Sequence, residues 1–277
     1  MQLHFKQLGR GEPLVLLHGL FGQADNWFGV APKLAEKFHV IALDLRNHGH
    51  SPHHPEMDYP LMAADVDKFF AAQKIASAHV IGHSMGGKVA MQFALDFPAH
   101  VKKLVVVDMA PRAYQRTHDH IFDALLALDL AQFQMRHQIE DALAPEIPSL
   151  DLRRFLLKNL GRDDHGKFFW KMNLRGVAEN YSRLGKVVER RTAARRVKDG
   201  SKAEPNPSLA LRDGFSGPAL FIRGGKSDYI NAGDELEIWQ LFPAAEIQTI
   251  AAAKHWVHAD APEEFVRMVL DFIPSAA

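Results

Sequence analysis

Short apolar runs, separated by longer amphipathic stretches, constrain the fold of this chain more than any other feature. Leu14–Leu17, Val40–Leu43, His79–Ile81, Leu104–Val107 and Leu220–Ile222 are brief and rich in Val, Ile and Leu. They lack the period-two alternation of a half-solvated strand, so they read as strands buried on both faces. Between them, Met62–Ile75 and Lys88–Phe97 have the composition of helices. Strand and helix in alternation imply a mostly parallel sheet with helices on both sides. Ligands of such sheets bind beyond the carboxyl ends of the strands, so polar residues at those ends are the first candidates for chemistry.

The alternation stops after Asp108. From about Ala110 to Ser208 the segments read as helical, with no convincing strand. Ile121–Ile139 is amphipathic, carrying Ile121, Leu125, Leu128 and Phe133 near one face. Asp199–Ser208 holds Gly200, Pro205 and Pro207 and reads as a linker. Alternation resumes at Gly217-Pro218. The expected fold class is therefore α/β: a core of residues 1–109 and 209–277, interrupted by an all-helical cap over residues 110–208. A chain of 277 residues has room for both.

Charge and cysteine content remove several function classes. Lys+Arg and Asp+Glu both number 33, so no net field gathers nucleic acid or an anionic membrane. The absence of cysteine excludes a disulfide framework, a thiolate zinc site and a cysteine nucleophile. The first apolar run ends at His18-Gly19, too short for a signal-peptide core or a membrane span. The expectation is a cytoplasmic protein without a nucleic-acid partner or membrane insertion.

Gly82-His83-Ser84-Met85-Gly86 matches G-x-S-x-G, a pattern that carries weight only between a strand and a helix. Ala78–Ile81 precedes it as a strand and Lys88–Leu95 follows it as a helix, so Ser84 is the candidate nucleophile. An attacked carbonyl becomes an oxyanion and needs preorganised donors. Met85 N–H is one candidate. The loop His18-Gly19-Leu20-Phe21-Gly22 offers the other, Leu20 or alternatively Phe21.

A serine hydroxyl also needs a base, and in this chain order the base follows the last strand, here Glu246–Ile250. His255 is the first histidine after it and is preferred over His258. The acid that orients the imidazole has two candidates. Asp108 ends the strand Leu104–Val107, and Asp228 lies in the loop after Leu220–Ile222; both keep the order Ser, Asp, His.

Other features have plainer readings. His48, His50, His53 and His54 crowd one Pro-rich loop, and His118 and His120 another; without metal-ligand spacing they read as loop histidines, so no metal site is expected. Arg183, Lys186, Arg190, Arg191, Arg195, Arg196, Lys198 and Lys202 form either a solvated basic helix or a cationic rim for an anionic substrate tail. Phe21, His83, Trp170 and Trp256 are expected to contact substrate, with the apolar faces of the insert lining an acyl pocket under a lid.

With these residues in view, the chain resembles the α/β-hydrolases, and within them the small YbfF-type bacterial esterases. The stretches that carry the resemblance are LLHGLFGQADNW, DLRNHGHS, GHSMGGKVAM, VVVDMAP, FIRGGKSDYI and KHWVHADAPEEF. The resemblance implies Ser84 as nucleophile and His255 as base. In many α/β-hydrolases the acid stands three residues after the Gly that ends the penultimate strand; from Gly224 that position is Ser227, one short of Asp228, and from Gly225 it is Asp228 itself. Families similar to this one place the acid at the D of VVVDMAP, which favours Asp108. The implied activity is cleavage of carboxylic esters, or thioesters such as acyl-CoA, through an acyl-serine, with no cofactor. Cofactor-free perhydrolysis, C–C bond hydrolysis and non-catalytic ligand binding are the alternatives on the same scaffold. Serine at the elbow argues against the dehalogenase and epoxide-hydrolase branches, which use a carboxylate there.

Overall fold

A computed structural model describes residues 1–189 and 214–274. Seven strands form the central sheet: β1 (Phe5–Leu8), β2 (Glu12–Leu17), β3 (Phe38–Leu43), β4 (Ala78–His83), β5 (Val101–Val107) and, after the insert, β8 (Ala219–Gly224) and β9 (Ala245–Ile250). Their order is β1-β3-β2-β4-β5-β8-β9. Only β1 runs antiparallel, along β3; every other pairing in this sheet is parallel. The five apolar runs each fall inside one of the parallel strands. β1 carried no sequence signal because it is an exposed edge, with Lys6, Gln7 and Leu8 in solvent.

Burial on both faces follows from the alternation of side chains in a strand. In β2, Val15 and Leu17 join a hydrophobic cluster on one face, and Leu14 and Leu16 join another on the opposite face. Helices α1 (Ala31–Leu34), α2 (Tyr59–Gln73) and α3 (Met85–Asp96) cover the first half of the sheet. Phe70 and Phe93 of α2 and α3 pack with tilted rings, centroids 5.1 Å apart, within the first cluster. Each such fully buried large side chain contributes about 1.5–3 kcal/mol. α2 starts where Asp58 accepts from Leu61 N–H at 2.8 Å and stops where Lys74 adopts φ 57°.

The insert carries α4 (Asp119–Ala127), α5 (Arg136–Ala142), α6 (Leu150–Leu157) and α7 (Leu174–Leu184). It is not all-helical as expected. β6 (Leu160–Arg162) and β7 (Phe168–Trp170) pair as an antiparallel hairpin. Three-residue strands are too short to display a period, and only the aromatic run Phe168-Phe169-Trp170 and the turn at Gly166 (φ 76°) hinted at them. Nor is Ile121–Ile139 one helix. The chain extends at Leu128 (ψ 121°), and Asp129 caps a short turn by accepting from Ala131 N–H. The expected boundary at 208/209, the linker Asp199–Ser208 and the basic residues from Arg190 to Lys202 lie outside the described residues.

After β8, α8 (Glu235–Leu241) leads to β9, and α9 (Val257–Asp260) and α10 (Pro262–Phe272) close the chain against the second cluster. No helix among the described residues is long and apolar enough to cross a membrane.

Candidate active site

The elbow is built by small residues on both sides of one strained residue. β4 runs straight into Ser84, whose φ of 53° and ψ of −118° are unusual for a residue with a side chain, and α3 begins at Met85. Cβ atoms would be intolerable at two neighbouring positions. One on Gly82 would lie 2.1 Å from the carbonyl oxygen of Gly86, and one on Gly86 would lie 2.3 Å from that of Leu17. Ser84 N–H donates to Val107 O at 3.0 Å, which fixes the turn to β5. Met85 is the first helical residue, so its N–H has no acceptor within the helix.

His255, 171 residues away in sequence, meets that hydroxyl. Its Nε2 lies 2.9 Å from Ser84 Oγ, and its Nδ1 lies 2.8 Å from Asp108 Oδ2. The consistent tautomer has Nδ1–H donating to the carboxylate and Nε2 accepting from the serine. Asp108 follows β5 at φ 50° and is fully buried. Its Oδ1 accepts from Gly224 N–H at 2.9 Å, and its Oδ2 accepts a second bond from the Ser227 hydroxyl. Asp228 lies at the rim of the cleft, makes no hydrogen bond to His255 among the described residues, and offers its backbone oxygen to Arg112. His258 is also turned away from the serine. It is buried against Trp27, ring centroids 4.4 Å apart, and burial pushes its pKa down to about 3.

The loop after β2 is braced by another buried histidine. His18 donates Nδ1–H to Gly19 O at 2.8 Å and accepts Leu45 N–H on Nε2 at 3.0 Å, with burial lowering its pKa. Gly22 N–H also donates to Gly19 O. The amides of Leu20 and Phe21 have no protein acceptor among the described residues, and both residues line the cleft beside Ser84 and Met85. Phe21 holds φ 60° and rests on Phe122, centroids 4.8 Å apart.

The cleft encloses about 410 Å³. Phe21, Met109, Ile121, Leu152, Phe155 and Leu184 give it an apolar wall between core and cap. Trp256 lines it and packs on Phe155 at 5.3 Å. His83 lines it too, but its Nε2–H is used to hold the backbone oxygen of His255 at 2.9 Å, and burial keeps its pKa well below the usual imidazole range. Trp170 does not reach the cleft, contrary to expectation. Ile121 of α4 lines the cleft, whereas Leu125 and Leu126 of the same helix share a separate cavity with Trp170. The β6–β7 hairpin carries the indole to that far side.

Histidines of the 48–54 loop serve as braces. His48 donates Nδ1–H to Arg46 O, and His53 bonds Lys171 O at 3.1 Å. Asn47, at φ 65°, binds His54 through both ends of its amide and accepts Asn173 N–H from the insert. His118 lines the cleft, bonded to Tyr181 Oη at 2.6 Å and pushed down to about 4 by burial.

Ser227 and Lys88 are features of the site that the sequence did not single out. Ser227 looked like the wrong residue at an acid position. Lys88 looked like one more polar residue of α3; it is fully buried, and its ammonium donates to Arg112 O at 2.5 Å and Lys186 O at 2.6 Å. Those two carbonyls belong to the start of the insert and to the segment just after α7. Burial lowers the Lys88 pKa to about 7. Its place one turn after the serine was the only sequence signal.

Comparison with known proteins agrees with this architecture. A family described as alpha/beta hydrolase fold matches residues 12–262. The sn-1-specific diacylglycerol lipase ABHD11 of Danio rerio is 35% identical over 277 residues, covering 97% of this chain and 80% of its own. Esterase YbfF of Escherichia coli is 34% identical over 262 residues, covering 94% of this chain and 92% of its own. Among solved structures, a marine microorganism esterase superposes with a TM-score of 0.88 at 38% identity, covering 98% and 99% of the two chains. The parallel sheet, the strained serine turn and these matches together mean that the chain belongs to the α/β-hydrolase fold family.

Proposed function

We propose that this protein is a serine hydrolase that cleaves carboxylic esters through an acyl-serine intermediate, with Ser84, His255 and Asp108 as its catalytic triad. The observation that carries the reading is the unbroken chain Ser84 Oγ–His255 Nε2 (2.9 Å) and His255 Nδ1–Asp108 Oδ2 (2.8 Å), opening into an apolar cleft. The esterases and lipases among its relatives support the same chemistry.

His255 takes the proton of Ser84 as Oγ attacks the acyl carbonyl. The new oxyanion is held by Met85 N–H and by Leu20 N–H, with Phe21 N–H the alternative second donor; each such donor is worth about 10²–10³ in kcat. His255, now an imidazolium stabilised by Asp108, protonates the leaving oxygen. Water, deprotonated by the same imidazole, then attacks the acyl-serine, and Ser84 recovers its proton as the carboxylic acid departs. Phe21 and Trp256 flank the acyl group, and the apolar wall takes its chain. None of these steps calls on a metal or cofactor.

Labelling with a fluorophosphonate tests the reading. Wild type is expected to be modified at Ser84, and Ser84→Ala to stay folded, unlabelled and without esterase activity. An unlabelled wild type that hydrolyses no ester sinks it. Paired oxygen and sulfur esters of equal acyl chain, run on the same preparation, rank ester against thioester cleavage.

A further inference from the structure

The imidazole of His255 is covered on one face by a ring that neither the sequence reading nor the triad accounts for. Tyr229 lies 3.8 Å from it, centroid to centroid, at an interplanar angle of 17°. Its backbone oxygen accepts from Tyr114 Oη, which anchors the segment independently of the Tyr229 side chain. The phenol is half-buried, and burial raises its pKa, so it is a neutral ring at working pH. The ring of His83 also lies near His255, tilted at 44° and 4.8 Å away.

A parallel aromatic face this close does two things. It holds the imidazole in the plane that joins Ser84 to Asp108. Its π-electron density also attracts a cation more than a neutral ring. His255 is neutral at rest in the proposed reaction and cationic when Ser84 has lost its proton, so the attraction grows towards the transition state. Resting on the serine-hydrolase reading, we propose that Tyr229 is a positioning residue that selectively stabilises the His255 imidazolium by face-on stacking.

The other groups around the imidazole do not supply this. Asp108 is the carboxylate bonded to it, and it acts along the ring edge at Nδ1. His83, His118 and His258 are all kept uncharged near neutrality by burial. Ser84 contributes only a hydroxyl.

Tyr229→Phe keeps the π-face and Tyr229→Leu removes it at similar size. The expected result is a loss of about 5- to 30-fold in kcat for Tyr229→Leu on a neutral p-nitrophenyl ester, against less than threefold for Tyr229→Phe. Tyr229 also lines the cleft, so KM reports substrate contact as well; the acid limb of the Tyr229→Leu pH profile should move to lower pH. An NMR titration of the His255 ring in a Ser84→Ala background reads the same effect without turnover; its midpoint should fall in Tyr229→Leu and stay in Tyr229→Phe. Equal kcat and equal midpoints in all three proteins overturn the proposal while leaving the triad intact. A Phe variant as impaired as the Leu variant also overturns it, by assigning the effect to the hydroxyl. A wild type without ester hydrolysis removes the hydrolase reading itself, and the titration still decides whether Tyr229 stabilises the imidazolium.

Discussion

Ser227 and His255 donate to the same oxygen of Asp108: the serine hydroxyl and the imidazole Nδ1–H both converge on Oδ2, while Gly224 N–H takes Oδ1. Ser227, which has no carboxylate of its own, thus hydrogen-bonds the one that meets His255. That carboxylate comes from the end of β5.

Asp108→Asn is therefore expected to lose about 10⁴ in kcat, the scale of the equivalent change in serine proteases. Asp228→Asn should stay within about threefold of wild type, because that side chain is outside the hydrogen-bonded chain. Adding Ser227→Asp to Asp108→Asn returns a carboxylate to the vicinity of Nδ1 and should recover at least tenfold. Steady-state kinetics on one ester decides all three; a large loss in Asp228→Asn would mean that the acid has been misassigned.

Backbone strain at Ser84 leads to a stability difference between two inactive variants. Alanine keeps the Cβ that φ 53° and ψ −118° penalise, whereas glycine relieves it. Ser84→Gly should be more stable than Ser84→Ala by about 1–2 kcal/mol, the usual range for one strained residue. Urea denaturation of the pair measures it, and equal midpoints would show that the elbow stores no strain.

Neutral histidines held by burial should make the protein acid-sensitive. Burial pushes His48 and His258 to about 3 and His118 to about 4, against 6.5 in an unfolded chain. The unfolded state therefore binds more protons through this window. The stability these groups confer is complete above pH 6.5 and is lost as pH falls towards 3–4. At pH 5 the loss is about 2 kcal/mol for each fully buried histidine. The stability difference between pH 7.5 and pH 5 should shrink by about that amount in His258→Gln; an unchanged difference would place the acid sensitivity elsewhere.

Lys88 ties the segments around Arg112 and Lys186 of the insert to α3. Lys88→Met leaves Arg112 O and Lys186 O without that donor, at a cost of about 1–3 kcal/mol for each carbonyl left unsatisfied. Amide exchange followed by mass spectrometry should quicken at least tenfold in peptides around residues 112–114 and 185–188, with β4 and β5 unchanged. Wild-type rates there would show that the ammonium does not hold the junction.

How much of this was legible beforehand varied with the kind of signal. Ser84 was readable because the elbow is local: a strand, two indispensable glycines and a helix leave their mark within ten residues. His255 was readable from its place after the last strand. Between Asp108 and Asp228 the residues alone left the choice open and only the family resemblance favoured Asp108, since two loops can each bring a carboxylate to the same sheet edge; the assembled strands put the Asp108 carboxylate at His255 Nδ1. Trp170 was misjudged because an aromatic run says nothing of which side of α4 it will face, and the hairpin that turns it is too short to leave a periodic trace. Tyr229 was invisible because stacking on a ring 26 positions away in the chain has no linear signature.

Determined by the sequence alone were the positions of the buried strands along the chain, the turn that lifts one hydroxyl above the sheet, and the interruption of the core after Asp108. Each rests on steric and solvation preferences that act over a few neighbouring residues. Decided only by the tertiary structure were the partner of His255, the ring laid across it and the contour of the cleft. Those depend on side-chain directions summed over segments more than a hundred residues apart, and the direction of a side chain is set by packing rather than by its neighbours in the chain.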